Sequence, residues 1–173
     1  MSVYVISDTH FGHENMLKYR PQFESMEEHD WVIAHNIMHV CGKKDTLYIL
    51  GDVVLSSAGR PHLERIASHV EYLHIVLGNH DQERKGSPTL AEYNEVCKGV
   101  YGMKKYKSVW FTHAPIHPVE LRGKYNVHGH VHDNSIDDPR YFNVSCEAIG
   151  YKPINMVDVI EQLKERNNDE GIR

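Results

Sequence analysis

The stretch VYVISDTH, residues 3–10, begins as a run of β-branched and aromatic residues and ends in Asp8 and His10. Val3, Tyr4, Val5 and Ile6 suit the pleated, half-buried surface of a strand. The polar residues that follow mark where such a strand stops. The same syntax recurs along the chain. TLYIL (46–50) runs into Gly51-Asp52, and YLHIVL (72–77) into Gly78-Asn79-His80-Asp81. VWF (109–111) runs into Thr112-His113, and YNV (125–127) into His128-Gly129-His130-Val131-His132. YFNV (141–144) reads as a sixth strand.

Helical segments lie between several of these runs. Ser25 opens the first, with Glu28 three residues on forming a capping box. Its apolar positions Trp31, Ala34, Ile37, Met38 and Cys41 recur every three or four residues, as one helix face requires. Pro61 opens a second helix over HLERIASH, proline being suited to the first turn. A third is predicted over 89–97 and a fourth from Asn155 to about Arg166, with the polar tail NNDEGIR fraying. Strand–helix–strand–helix–strand, then a strand-rich second half, predicts an α/β layered fold. Residues 1–173 are expected to form a single domain.

In open α/β sheets, ligands bind beyond the carboxyl ends of the strands. Five polar strand ends would therefore converge on one site, carrying Asp8, His10, Asp52, Asn79, His80, His113, His130 and His132. Any one cluster alone reads as a turn; five with metal-binding side chains do not. No cysteine is among them, which disfavours a closed thiolate zinc site. Imidazole, carboxylate and amide oxygen together suit Mn²⁺, Fe²⁺ or Zn²⁺, with Ni²⁺ a further option. One ion does not need so many donors, whereas two ions sharing a carboxylate do.

Composition narrows the field. The formal net charge of −5 argues against holding nucleic acid by broad electrostatics. Three cysteines, Cys41, Cys97 and Cys146, show no CxxC pair and no disulfide framework, which favours a reducing cytoplasm. The N-terminus does not read as a signal peptide, and no apolar run reaches membrane-spanning length. There is no GxSxG element to suggest a metal-free serine hydrolase.

The segments DTH, GDV, GNHD, THAP and GHVH together resemble the calcineurin-like metallophosphoesterases, across residues 8–132. DTHFGHEN and NVSCEAIGYKPI are similar to small bacterial and phage-type members. The resemblance implies a layered sandwich of two mixed β-sheets flanked by helices, with a dinuclear centre at one edge. One divalent ion would take Asp8, His10, Asp52 and His132, and the other Asp52, Asn79, His113 and His130, with Asp52 bridging. Manganese is the first choice of metal. The glycines before Asp52, Asn79 and His130 permit tight turns and close backbone approach.

The activity implied is hydrolysis of phosphodiesters by a water that the two ions acidify. His80 would protonate the leaving group, and the adjacent Asp81 would orient or charge its ring. His13 and Asn15 are assigned to substrate, with capping of the local turn as the alternative. His128 is expected to pack rather than ligate, and His117 is equally suited to a structural or a substrate-facing role. His29, His35, His39, His62, His69 and His74 are assigned to surface or core packing. Arg20, Arg84 and Arg122 are read as solvated surface charges. No Lys or Arg stands in the five motif segments, which favours a monoanionic diester. The expected partner is a small phosphoester, a nucleotide among the candidates, with neither membrane nor nucleic acid indicated. A phosphomonoesterase, a nuclease or a non-catalytic binding module on the same fold are the alternatives.

Overall fold

Alternation within the strands sets the layering of the computed structural model, which describes residues 1–170. Strands β1 (Val3–Ile6), β2 (Thr46–Ile49) and β3 (Tyr72–Val76) lie parallel, with Val3 opposite Thr46 and Thr46 opposite Tyr72. Successive side chains point to opposite faces. Ile6, Leu47, Ile49, Leu73 and Ile75 face one way, and Val5, Tyr48, Leu50 and Val76 the other.

The first face is covered by helices. In α1 (Met26–Val40) Ile33, Ala34 and Ile37 are buried, and in α2 (Arg60–His69) Leu63 and Ile66 are. Tyr93 of α3 (Leu90–Val96) completes that cluster. Ser25 caps α1 by accepting from the Glu28 N–H, but the Glu28 carboxylate reaches Glu24 N–H, so only half of the expected box forms. The full reciprocal box lies at α3, between Thr89 and Glu92. Trp31 departs from expectation. It is 49% exposed and stacks on His35, because the buried stripe passes through Asp30, Ile33, Ala34 and Ile37 instead.

The second face packs on another sheet. β4 (Gly99–Tyr101) and β9 (Ile154–Asn155) complete the first sheet in the order β4-β3-β2-β1-β9, with β9 antiparallel to β1. β5 (Lys104–Tyr106), β6 (Val109–Phe111), β7 (Tyr125–His128) and β8 (Tyr141–Asn143) form the second, with β5 antiparallel to β6 and the rest parallel. Val109, Phe111, Val127 and Phe142 meet Val5, Leu50 and Val76 between the sheets. Helix α4 (Met156–Glu170) adds Met156, Val159 and Leu163 to that layer. The helix continues through 167–170, where fraying was expected; residues 171–173 lie outside those described. The architecture is thus two mixed sheets flanked by helices. Strands β4, β5 and β9 are additional to the six read from the sequence. Among the described residues no helix is long and apolar enough to cross a membrane.

Candidate metal centre

Parallel pairing of β1, β2 and β3 brings their carboxyl ends to one edge, and β6 and β7 end against the same edge. Asp8 N–H donates to Gly51 O and His10 N–H to Asp52 O, tying the first two strand ends together. Gly129 N–H donates to His113 O, tying β7 to β6. A Cβ on Gly129 would collide with Ser7 Oγ and the Asp8 carboxylate, so only glycine lets these two strand ends approach. The backbone at Asp8, His10, Asp52, His130 and His132 lies in the left-handed region, with φ of 58°, 50°, 50°, 72° and 53°. Such conformations are unfavourable for side-chain-bearing residues and concentrate at functional sites.

Both carboxylates are held by one oxygen and leave the other facing the centre. Asp8 Oδ2 accepts from His130 N–H and Ser145 Oγ, while the buried Asp8 Oδ1 has no hydrogen-bond partner. Asp52 Oδ1 accepts from His80 N–H at 2.9 Å. Its Oδ2 stands between two imidazoles, 3.7 Å from His10 Nε2 and 3.4 Å from His113 Nε2. Burial would raise the Asp8 carboxyl, but His10, His113 and the His130 N–H hold it well below the usual range. Burial would lower His113, yet the Asp52 and Asp8 carboxylates raise it to about 9.

The histidines are oriented in the same manner, by the nitrogen that faces away. His113 Nδ1 donates to Leu50 O at 2.8 Å, which turns Nε2 toward the centre. His132 Nδ1 meets Glu147 Oε1 at 3.0 Å. His10 Nδ1 lies 3.3 Å from His13 Nδ1, and His10 Nε2 is buried without a partner. Around His113 Nε2, Asn79 Oδ1 lies at 3.0 Å and His130 Nδ1 at 3.2 Å.

The donor atoms of Asp8, His10 and His132 lie within 4.8 Å of one another, as do those of Asp8, Asp52 and His113. Two such groups sharing a carboxylate, with a buried orphan oxygen and a buried orphan nitrogen between them, fit cations. A cation would satisfy both orphans, which otherwise cost free energy. The donors are nitrogen and oxygen throughout; the three cysteines, all free thiols, belong to neither group. Five of the seven sequence-predicted ligands enter these groups, and Asn79 and His130 lie beside His113 Nε2. Asp8 enters both groups, whereas the resemblance gave the shared position to Asp52.

Other assignments change. Asp81 does not touch the His80 ring. Its carboxylate accepts from Asp52 N–H, Val53 N–H, Gly78 N–H and Tyr93 Oη, all within 3.0 Å. It shapes the turn that carries Asn79 and His80, and burial raises its pKa despite those donors. The group beside the His80 ring is Glu83, 3.1 Å from Nδ1. His13 stacks on His10 with ring centroids 5.4 Å apart, and shares a recess with Asn15, Ser56, His62 and Arg84. His128 is buried as expected, bonded to Gly129 O and edge-on to Tyr141. His117 caps a short 3-10 turn by accepting from Val119 N–H. Arg122 pairs with Glu120 at the surface.

Arg20 is the largest correction. It is fully buried, not solvated. Its guanidinium donates to Asp8 O and to Glu147 Oε1, both at 2.7 Å, and Nη1 lies 2.7 Å from His29 Nε2. His29 in turn meets Asp30 Oδ1. Arg20 therefore braces the backbone of one ligand and, through Glu147, the ring of another. Glu147 was missed although it follows a sixth strand end, YFNV, in the same pattern as the other five. Burial would raise its carboxyl, but His132 and Arg20 hold it down to about 2.

Comparison with known proteins agrees with this geometry. The model of the calcineurin-like phosphoesterase family matches residues 1–170. An uncharacterized protein of Methanocaldococcus jannaschii is 33% identical over 95% of this chain and 92% of its own length. The gene 66 protein of Mycobacterium phage L5 is 28% identical over 96% of each. The crystal structure of a protein of unknown function from Aquifex aeolicus superposes with a TM-score of 0.73, at 25% identity, covering 92% of this chain and 98% of that one. Divalent metals serve this family, and the donor groups suit them. The chain belongs to the calcineurin-like phosphoesterase family.

Proposed function

We propose that this protein hydrolyses phosphodiesters using two divalent cations, Mn²⁺ first among them. The observation that carries the reading is Asp52 Oδ2, which stands between His10 Nε2 of one proposed donor set and His113 Nε2 of the other. Two such cations, when bound, neutralise phosphoryl oxygens and acidify a water for in-line attack.

The chain's own residues supply the rest. Asp8, His10, Asp52 and His132 would hold one cation, and Asp52, Asn79, His113 and His130 the other. His80 stands outside both sets. Its backbone N–H is fixed to Asp52 Oδ1, and its side chain is 34% exposed, with the ring centroid 6.4 Å from that of His10. Glu83 on Nδ1 leaves Nε2 to donate a proton to the departing alkoxide. The five motif segments contain no Lys or Arg, and Arg20 is committed to Asp8, Glu147 and His29. Two divalent cations against two carboxylates and one hydroxide nucleophile leave a single positive charge. A diester monoanion matches that balance, whereas a monoester carries about −1.5 to −2 near neutral pH.

The test is kcat/KM for bis(p-nitrophenyl) phosphate and p-nitrophenyl phosphate, on metal-stripped protein and after adding Mn²⁺, Ni²⁺, Zn²⁺ or Mg²⁺. Chelation should abolish turnover, and the active form should contain two ions per chain. One ion per chain would refute the dinuclear reading. A clear monoester preference would overturn the charge argument and implicate Arg84 as a phosphate ligand.

A further inference from the structure

The centre has a groove on each side, and the two differ in chemistry. Beside Asn79, His113 and His130 lies a shelf formed by Leu77, Met103, Ala114 and Ile116. Its lining contains no Lys, Arg, Asp or Glu, and it spans about 780 Å³. Met103, in the turn between β4 and β5, is 47% exposed there. The Ile116 backbone is fixed on both sides, its N–H donating to Asn126 Oδ1 and its C=O accepting from Tyr141 Oη. The shelf is thus held in place by packed structure.

On the His10 side the recess of about 510 Å³ mixes polar side chains with Met26 and Leu55. His13, Asn15, Ser56, His62 and Arg84 line it, but so do the carboxylates of Glu14, Glu27 and Asp30. Arg84 against the Glu14 and Glu27 carboxylates, with Asp30 already bonded to His29 and the Gly12 N–H, does not suit a polyanion. It suits a neutral arm rich in hydroxyl groups, which can donate to the carboxylates and accept from Arg84 and Asn15. Both volumes fall in the range of small-molecule sites.

We propose that the shelf binds an apolar, flat substituent of the substrate and the recess a polyol substituent, so that the preferred substrate is an unsymmetrical phosphodiester with one aryl and one polyhydroxyl arm. This inference rests on the phosphodiesterase reading and assigns its two arms. A monoester would leave one groove unused. The shelf has no charge to bind a second phosphate, and its thioether and aliphatic side chains gain by covering a ring.

The experiment varies one arm while p-nitrophenolate remains the reporter. Manganese-loaded protein is assayed with methyl, phenyl and glyceryl p-nitrophenyl phosphates, alongside Met103→Ser and Arg84→Ala. The p-nitrophenyl arm fills the shelf in all three, so the glyceryl diester should exceed the methyl and phenyl diesters by about tenfold in kcat/KM, and Met103→Ser should lower all three alike by about tenfold. The glyceryl-over-methyl advantage should fall in Arg84→Ala and persist in Met103→Ser. A flat response to the arm, or rates that Met103→Ser leaves unchanged, would overturn the assignment. Binding of methyl(phenyl)phosphinate and dimethylphosphinate, which carry no ester bond, measured by calorimetry, supplies a readout independent of turnover. Aryl preference in binding, sensitive to Met103→Ser but with no diester hydrolysed, would uphold the shelf and sink the catalytic reading. Equal binding of both would sink the shelf.

Discussion

Glu147→Gln tests how the centre is braced, because it removes one charge while keeping the side chain's size. Glu147 Oε1 accepts from Arg20 Nε at 2.7 Å and meets His132 Nδ1 at 3.0 Å, with the Glu147 side chain only 13% exposed. Two separable losses follow. The buried guanidinium loses its counter-charge, and breaking a buried pair costs about 3–5 kcal/mol. The amide oxygen can still accept one hydrogen bond, so the lower end, about 3 kcal/mol, applies. For a chain of this size that is roughly 6–12 °C in melting temperature. The second loss is the orientation of His132, since groups that hold a ligating imidazole are typically worth about 10–100-fold in metal affinity. Melting in excess chelator reads the first, and calorimetric titration of stripped protein with Mn²⁺ reads the second. A variant that melts lower yet binds both ions with unchanged affinity would refute the claim that Glu147 orients a ligand. A variant unchanged in both would refute the Arg20–Glu147–His132 chain altogether.

Other expectations follow from the same geometry. His80→Ala should retain both ions while kcat falls by about 10²–10⁴-fold, the range for a lost general acid. The deficit should be larger for alkoxide than for nitrophenolate leaving groups; loss of metal would instead make His80 a ligand. At the start of α3, the Thr89 cap and Arg60 hold Glu92 down to about 2, well below its ordinary 4.5. Its contribution to the start of α3 is therefore complete above about 4.5 and disappears as pH falls through about 2. Amide exchange in α3 should accelerate over that window in the natural protein but not in Glu92→Gln, and identical profiles would contradict the assignment.

Much of this centre was legible because each ligand follows its strand within a few residues. The apolar runs fix where the strands end, and parallel pairing then collects those ends without further information. Arg20 and Glu147 were not legible in that way. They stand 127 positions apart, and nothing local distinguishes a buried arginine in a loop from a solvated one. Asp81 misled through adjacency: next to His80 in sequence, it points back to the end of β2 because the turn it stabilises reverses the chain. Trp31 misled through periodicity, its spacing fitting a helix face whose true centre lies between Ile33 and Ile37. β9, with two residues, and β4, with Gly99 in a run of three, are too short to announce themselves by pattern.

The left-handed backbone at Asp8, His10, Asp52, His130 and His132 has a bearing on what selection can do with this chain. Such a conformation costs roughly 1–2 kcal/mol for each residue that carries a side chain. Five together amount to several kcal/mol, against a typical total stability of about 5–15 kcal/mol. Glycine would relieve that strain at every one of them, at the price of a donor. The sequence therefore trades stability for donors at each of these positions, and drift that relaxes the backbone also erodes the centre. In a copy freed from the need to bind cations, these positions are where replacements would be rewarded soonest. A descendant that had lost the activity would be recognisable by glycine or asparagine at these strand ends and by a metal-free fold sturdier than its ancestor's.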